Sequence, residues 1–245
     1  MSEASTLSAR ARPASRSRRV WTWAAVVVVV AGASTYVAVR ELTSKGTVLC
    51  IGDSLTWEST SALRSDLDAK GFTPQIQAVP GSGLLDTQIN WSARAQLFIA
   101  RYKPKIVVAE FVGDYGLFGT PPGLFDGTPT FLADWAVRAQ DLENILGAQG
   151  AQVYWVVGPP LENPASEDKL VQLDQIYARL KAPPGSTKKP LLIDTTKVFG
   201  TSTGGYTPSV TVSGGGQPVT VRLPDGTHFT PAGTSLFAQT ISNAL

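Results

Sequence analysis

Apolar residues along this chain fall into short runs, separated by longer stretches in which they recur every three or four positions. The runs are Val48–Ile51, Gln75–Val79, Ile106–Phe111, Val153–Val157 and Leu191–Ile193, each of strand length. Between them, Ser59–Lys70, Leu84–Tyr102, Phe131–Gln149 and Ser166–Lys181 carry helical spacing, as in Leu170, Leu173, Ile176, Tyr177 and Leu180. Alternation of this kind requires right-handed crossovers and predicts a parallel sheet with helices on both faces, a three-layer α/β domain. Ligands bind such folds beyond the C-terminal ends of the strands. Ser54, Gly81 and Asp114 each follow a run directly, so all three fall on that edge.

Two segments depart from the alternation. Gly116–Pro129 is rich in Gly and Pro and reads as a long loop lining the mouth of a site. Thr207–Leu223 reads as a late β-hairpin insertion around Ser213-Gly214-Gly215-Gly216-Gln217-Pro218, whose glycines make a turn rather than a phosphate cradle, since no Gly-Lys-Ser/Thr follows. Pro231–Leu245 has the composition of a closing helix.

From Val20 to Val39 the chain carries no charge, and Arg19 and Arg40 close the stretch. A helix of that length spans roughly 30 Å, the thickness of a bilayer's hydrocarbon core. The division expected is a basic cytoplasmic tail at 1–19, a transmembrane signal anchor at 20–39, a linker at 40–46 and the main domain at 47–245. The tail holds Arg10, Arg12, Arg16, Arg18 and Arg19 against Glu3, which keeps it cytoplasmic and directs the domain outward as a single-pass membrane protein. Cleavage near Ala33 is the alternative and would secrete the domain. Beyond residue 19 the chain holds 16 basic and 18 acidic residues, so nucleic-acid binding by the domain has no electrostatic support. Cys50 is the only cysteine; it excludes an intrachain disulfide and reads as a small buried hydrophobe. One histidine and one cysteine supply no zinc set, no acidic cluster has calcium-loop spacing, and no cofactor signature occurs.

The first run breaks at Gly52-Asp53-Ser54-Leu55, which puts a hydroxyl at the tip of the first strand. A serine hydroxyl becomes nucleophilic when a neighbouring base takes its proton, and histidine is the usual base. His228 is the only histidine, so it is the candidate. Asp225, three residues earlier in a turn marked by Pro224 and Gly226, is placed to orient the imidazole.

Ile51-Gly52-Asp53-Ser54-Leu55 after the first strand, with Asp225-x-x-His228 ahead of the last helix, resembles the GDSL or SGNH hydrolase superfamily over about residues 47–245. The resemblance implies a flavodoxin-like three-layer α/β/α sandwich on a five-stranded parallel sheet, and ester chemistry on acyl groups. It also implies an oxyanion hole shared by the amide of Ser54, a glycine after the second strand and an asparagine after the third. Val79-Pro80-Gly81-Ser82-Gly83 matches the glycine block, with Gly81 in the role and Gly83 as the other register. At the third block the chain departs from the family: Asp114 stands in the asparagine position and Tyr115 where aspartate is usual. An ionised carboxylate has no proton to donate to an oxyanion, whereas an amide has.

The expectation is an extracytoplasmic serine esterase acting on an O-acyl ester, with envelope polysaccharide as a candidate substrate. An O-acyltransferase using the same acyl-enzyme is the alternative. A catalytically impaired glycan-binding or scaffold protein, on the strength of Asp114, is the alternative of another class. Trp57, Tyr115 and Phe118 lie near the presumed mouth, to stack on sugars or to pack, with packing the default for any one of them.

Overall fold

A computed structural model describes residues 44–113, 127–211 and 216–245. The expected anchor at 20–39, the oxyanion position Asp114, the aromatic residues Tyr115 and Phe118, and most of the loop expected at Gly116–Pro129 lie outside the described residues. Five strands, β1 (Thr47–Gly52), β2 (Thr73–Ala78), β3 (Ile106–Glu110), β4 (Gln152–Val157) and β5 (Leu191–Asp194), form one parallel sheet in the order β2-β1-β3-β4-β5. Central β1 is buried on both sides, with Val48 and Cys50 in one core and Leu49 and Ile51 in the other. Such two-sided burial is why its sequence is a continuous apolar run. Burial pushes the Cys50 thiol up to about 12, so it behaves as the small hydrophobe expected.

Against the Val48 face pack α1 (Ser54–Glu58), α2 (Thr60–Ala69) and the closing α7 (Pro231–Ala244), through Leu55, Leu63, Leu67, Phe237 and Ile241. Against the Leu49 face pack α3 (Trp91–Tyr102), α4 (Pro129–Gly147) and α5 (Pro164–Ala178), through Ala95, Trp135, Leu142 and Tyr177. Short α6 (Thr196–Phe199) follows β5 and buries Phe199 in the first core. The architecture is therefore the three-layer α/β/α sandwich with a five-stranded parallel sheet. The late hairpin is present as β6 (Ser209–Val210) and β7 (Val219–Thr220), paired antiparallel over two residues each. Its tip, 212–215, lies outside the described residues.

Two helix boundaries differ from the periodicity. The helix expected from Leu84 starts only at Trp91. Asp86 accepts the N–H groups of Gln88 and Ile89 at 2.7 and 3.0 Å and bends the backbone into a turn, after which Asn90 caps the helix by accepting from Ala93. The helix expected over Ser59–Lys70 is preceded by the separate turn α1, with the break at Ser59. Among the described residues no helix is long and apolar enough to cross a membrane.

Candidate active site

The nucleophile candidate is set by the exit of β1. A Cβ at Gly52 would collide with Thr56 Oγ1 and with the carbonyl and carboxylate of Glu110, so only glycine lets α1 turn back this tightly. Asp53 is buried and works twice: Oδ1 accepts the Leu55 N–H at 3.2 Å as the cap of α1, and Oδ2 accepts the Val112 N–H at 2.8 Å. Glu110 at the end of β3, also buried, accepts from the Thr56 hydroxyl at 2.7 Å and the Thr56 amide at 3.2 Å. These carboxylates lock the nucleophile turn to the exit of β3. Ser54 itself is 8% exposed, on the edge formed by the C-terminal ends of the strands.

The imidazole arrives from the far end of the chain. Gly226 N–H donates to the Leu223 carbonyl and Leu223 N–H to the His228 carbonyl, which closes a tight loop just before α7. Gly226 sits at φ 72, where a Cβ would also run into Glu162. Within the loop, Asp225 Oδ1 accepts the N–H groups of Thr227 and His228, both at 2.9 Å. Its Oδ2 lies 2.8 Å from His228 Nδ1, and His228 Nε2 lies 3.0 Å from Ser54 Oγ across 174 positions of sequence. A carboxylate on Nδ1 selects the tautomer that leaves Nε2 as acceptor for the serine proton. Partial burial pushes the Asp225 carboxyl up, but the Thr227 and His228 amides and the His228 ring outweigh it and hold it below its ordinary range.

Two further groups frame this loop, and the sequence offered no motif for either. Arg222 is 2% exposed; its guanidinium donates to the carbonyls of Thr227 and Pro160 and lies 5.4 and 4.7 Å from the ring centres of Phe199 and Phe229. Burial lowers it to about 10. Glu58, the last residue of α1, accepts the Phe229 N–H at 2.9 Å. Burial pushes its carboxyl up, against the pull of the Phe229 amide, His228 and Arg222. Asp53 is different, because an aspartate between strand and helix is a legible cap signal.

Of the expected oxyanion donors, Gly81 occupies the third position of a turn in which Ser82 N–H donates to the Val79 carbonyl, with φ 68 at the glycine after Pro80. Pro-Gly at those positions is the signature of a type II turn. Neither the Ser54 nor the Gly81 N–H is engaged by another group among the described residues. Asp114 lies outside the described residues; just before it, the Gly113 carbonyl accepts from the buried Lys169 ammonium at 3.2 Å. Trp57, expected to pack, is 57% exposed one turn beyond Ser54, because the face of α1 that enters the core is taken by Leu55. A cavity of about 690 Å³ lies elsewhere, between the 84–92 segment and α4, and its lining includes none of Ser54, Asp225 and His228. Among the described residues no group of His, Cys, Asp and Glu is arranged to hold a metal ion.

The model of the family described as "Protein of unknown function (DUF459)" matches residues 47–244. The chain belongs to the DUF459 family. Its DUF459 domain shares the SGNH fold of the GDSL-like lipases and esterases. A GDSL-like lipase from Bacteroides thetaiotaomicron is 14% identical with a TM-score of 0.54, over 86% of this chain and 95% of that one. Psychrotrophic esterase EstA from Pseudoalteromonas is 16% identical with a TM-score of 0.52, over 81% and 96%. An acetyl-xylooligosaccharide esterase from Geobacillus is 14% identical with a TM-score of 0.53, over 82% and 94%. At such identities the likeness is one of fold. No curated protein matches the chain.

Proposed function

We propose that the DUF459 domain of this chain is a serine ester hydrolase that works through an acyl-enzyme, with Ser54 as nucleophile, His228 as general base and acid, and Asp225 orienting the imidazole. The observation that carries the reading is the continuous line from Ser54 Oγ through both ring nitrogens of His228 to Asp225, at 3.0 and 2.8 Å. Ser54 Oγ attacks the ester carbonyl carbon as its proton passes to Nε2. The oxygen that gains charge is received by the amides of Ser54 and Gly81. Collapse breaks the ester bond, and the departing alcohol takes the proton from the imidazolium. Water then adds to the acyl-enzyme with His228 again as base, releasing the acid and restoring Ser54.

The substrate we propose is an O-acylated sugar of envelope polysaccharide. Support comes from the exposed Trp57 indole on the nucleophile's own helical turn, a flat apolar face suited to a pyranose ring. Fold relatives described as an acetyl-xylooligosaccharide esterase and a carbohydrate esterase add to it. The uncharged 20–39 segment behind an arginine-rich tail supports a place outside the cytoplasm, held at the membrane or secreted after cleavage near Ala33. Attack by a sugar hydroxyl in place of water would make the same acyl-enzyme a transferase intermediate.

The test is labelling with a fluorophosphonate, read by mass spectrometry on the intact chain. Wild type should take one probe at Ser54, Ser54→Ala none, and His228→Ala little. A wild type that stays unlabelled overturns the enzyme and leaves a glycan-binding or scaffold role.

A further inference from the structure

Glu58 is the group beside the imidazole that the mechanism above does not use. It closes the helical turn that Ser54 opens, so nucleophile and carboxylate lie four residues apart on one face of α1. Ser54 Oγ meets His228 Nε2 at 3.0 Å, and Glu58 Oε1 accepts the N–H of the next residue, Phe229, at 2.9 Å. One turn of helix thus grips the base-bearing segment at two points, once by its side chain and once by its backbone.

Arg222 fixes the other side of that segment. Its guanidinium donates to the carbonyl of Thr227, the residue before His228, while the Phe229 ring lies 4.7 Å from its centre. The backbone around His228 is therefore tied at 229 by Glu58 and at 227 by Arg222. The charged groups facing Glu58 are His228 and Asp225 from the loop and Arg222 from the segment before it. Arg222 forms no direct ion pair among the described residues, and Glu58 and Asp225 are the carboxylates whose field it feels nearest the site. Asp225 has half of its side chain in water, which screens it. Glu58 is only partly exposed and adds a second negative charge beside the ring.

We propose that Glu58 is a positioning residue for ester cleavage: it holds the Phe229 amide so that the imidazole meets Ser54 in line, and its charge favours the imidazolium that forms during acylation. The role rests on the Ser54–His228–Asp225 reading.

The test compares the full-length wild type with Glu58→Gln and Glu58→Ala on a small aryl acetate, following kcat, KM and the pH profile. In parallel, the ring Cε1–H resonance of the chain's only histidine is followed against pH. Glutamine still offers a carbonyl oxygen to Phe229 but carries no charge. Glu58→Gln should therefore keep most of kcat, while the acid limb of kcat/KM moves to lower pH. Glu58→Ala, losing the acceptor as well, should lose kcat by about tenfold or more with KM little changed. An active wild type whose ring titration is unmoved in Glu58→Gln overturns the electrostatic role even where Glu58→Ala fails to fold. Full kcat in Glu58→Ala overturns the positioning role. A wild type that neither turns over ester nor takes the fluorophosphonate overturns the esterase reading and this role with it, whatever the ring does.

Discussion

Trp155 donates its indole N–H to Glu143 at 2.8 Å inside the core that α3, α4 and α5 make with the sheet, where burial pushes the Glu143 carboxyl from 4.5 up to about 7. Below its ordinary value the group is protonated folded or unfolded. Between 4.5 and about 7 the unfolded chain ionises and the folded one does not, so stability from this group falls as pH rises and is gone above about 7. Glu143→Gln keeps an acceptor for Trp155 without that loss. Urea unfolding should find it equal to wild type near pH 4 and more stable near pH 8 by about 1–3 kcal/mol; no gain at the higher pH would show that the carboxylate is well solvated. In the register that the SGNH resemblance implies, Asp114 would stand where an amide donor typically worth about 2.7–4 kcal/mol to the transition state is expected. Asp114→Asn should therefore raise turnover of a small acetyl ester by on the order of a hundredfold or more, and a fall in kcat would show that the carboxylate has a task of its own.

At the scale of elements, the helices are set by their first residues. Thr128, Asn163 and Thr230 each accept an N–H from the opening turn and are each followed by proline, the residue that suits the first helical position. Thr230 matters most to the site, because this cap of α7 lies two residues after His228. Its hydroxyl accepts from Gly233 at 3.2 Å and donates to the Thr220 carbonyl at 2.7 Å, joining the helix start to β7. Thr230→Ala should cost about 1 kcal/mol by thermal unfolding, and a loss of kcat larger than the fraction unfolded would show that the cap also steadies His228. Central β1 was legible because burial on both faces leaves an apolar run, Val48–Ile51, that needs no partner to be recognised. Helix starts were less so. From Leu84 onward the apolar spacing continues through a turn that Asp86 and Asn90 impose by side-chain hydrogen bonds, and periodicity does not register such bonds.

For the whole molecule, the uncharged 20–39 segment carries the expectation that the chain is held at a membrane. With it intact, the chain should sediment with membranes and resist alkaline carbonate, while a chain of residues 45–245 should stay in the supernatant; release of the intact chain by carbonate would overturn the anchor. The βα alternation, the Gly-Asp-Ser break after β1 and the Asp-x-x-His turn were readable from the sequence, because each run, helical pattern and turn is written in residues near one another along the chain. Tertiary structure alone decided that Ser54 and His228 lie 3.0 Å apart across 174 positions, that Glu58 meets the Phe229 amide, that Arg222 sits buried between two rings, and that Trp57 stays in solvent. A hydrogen bond across so many residues depends on how both layers of helix close on the sheet, and local spacing carries no trace of that closure.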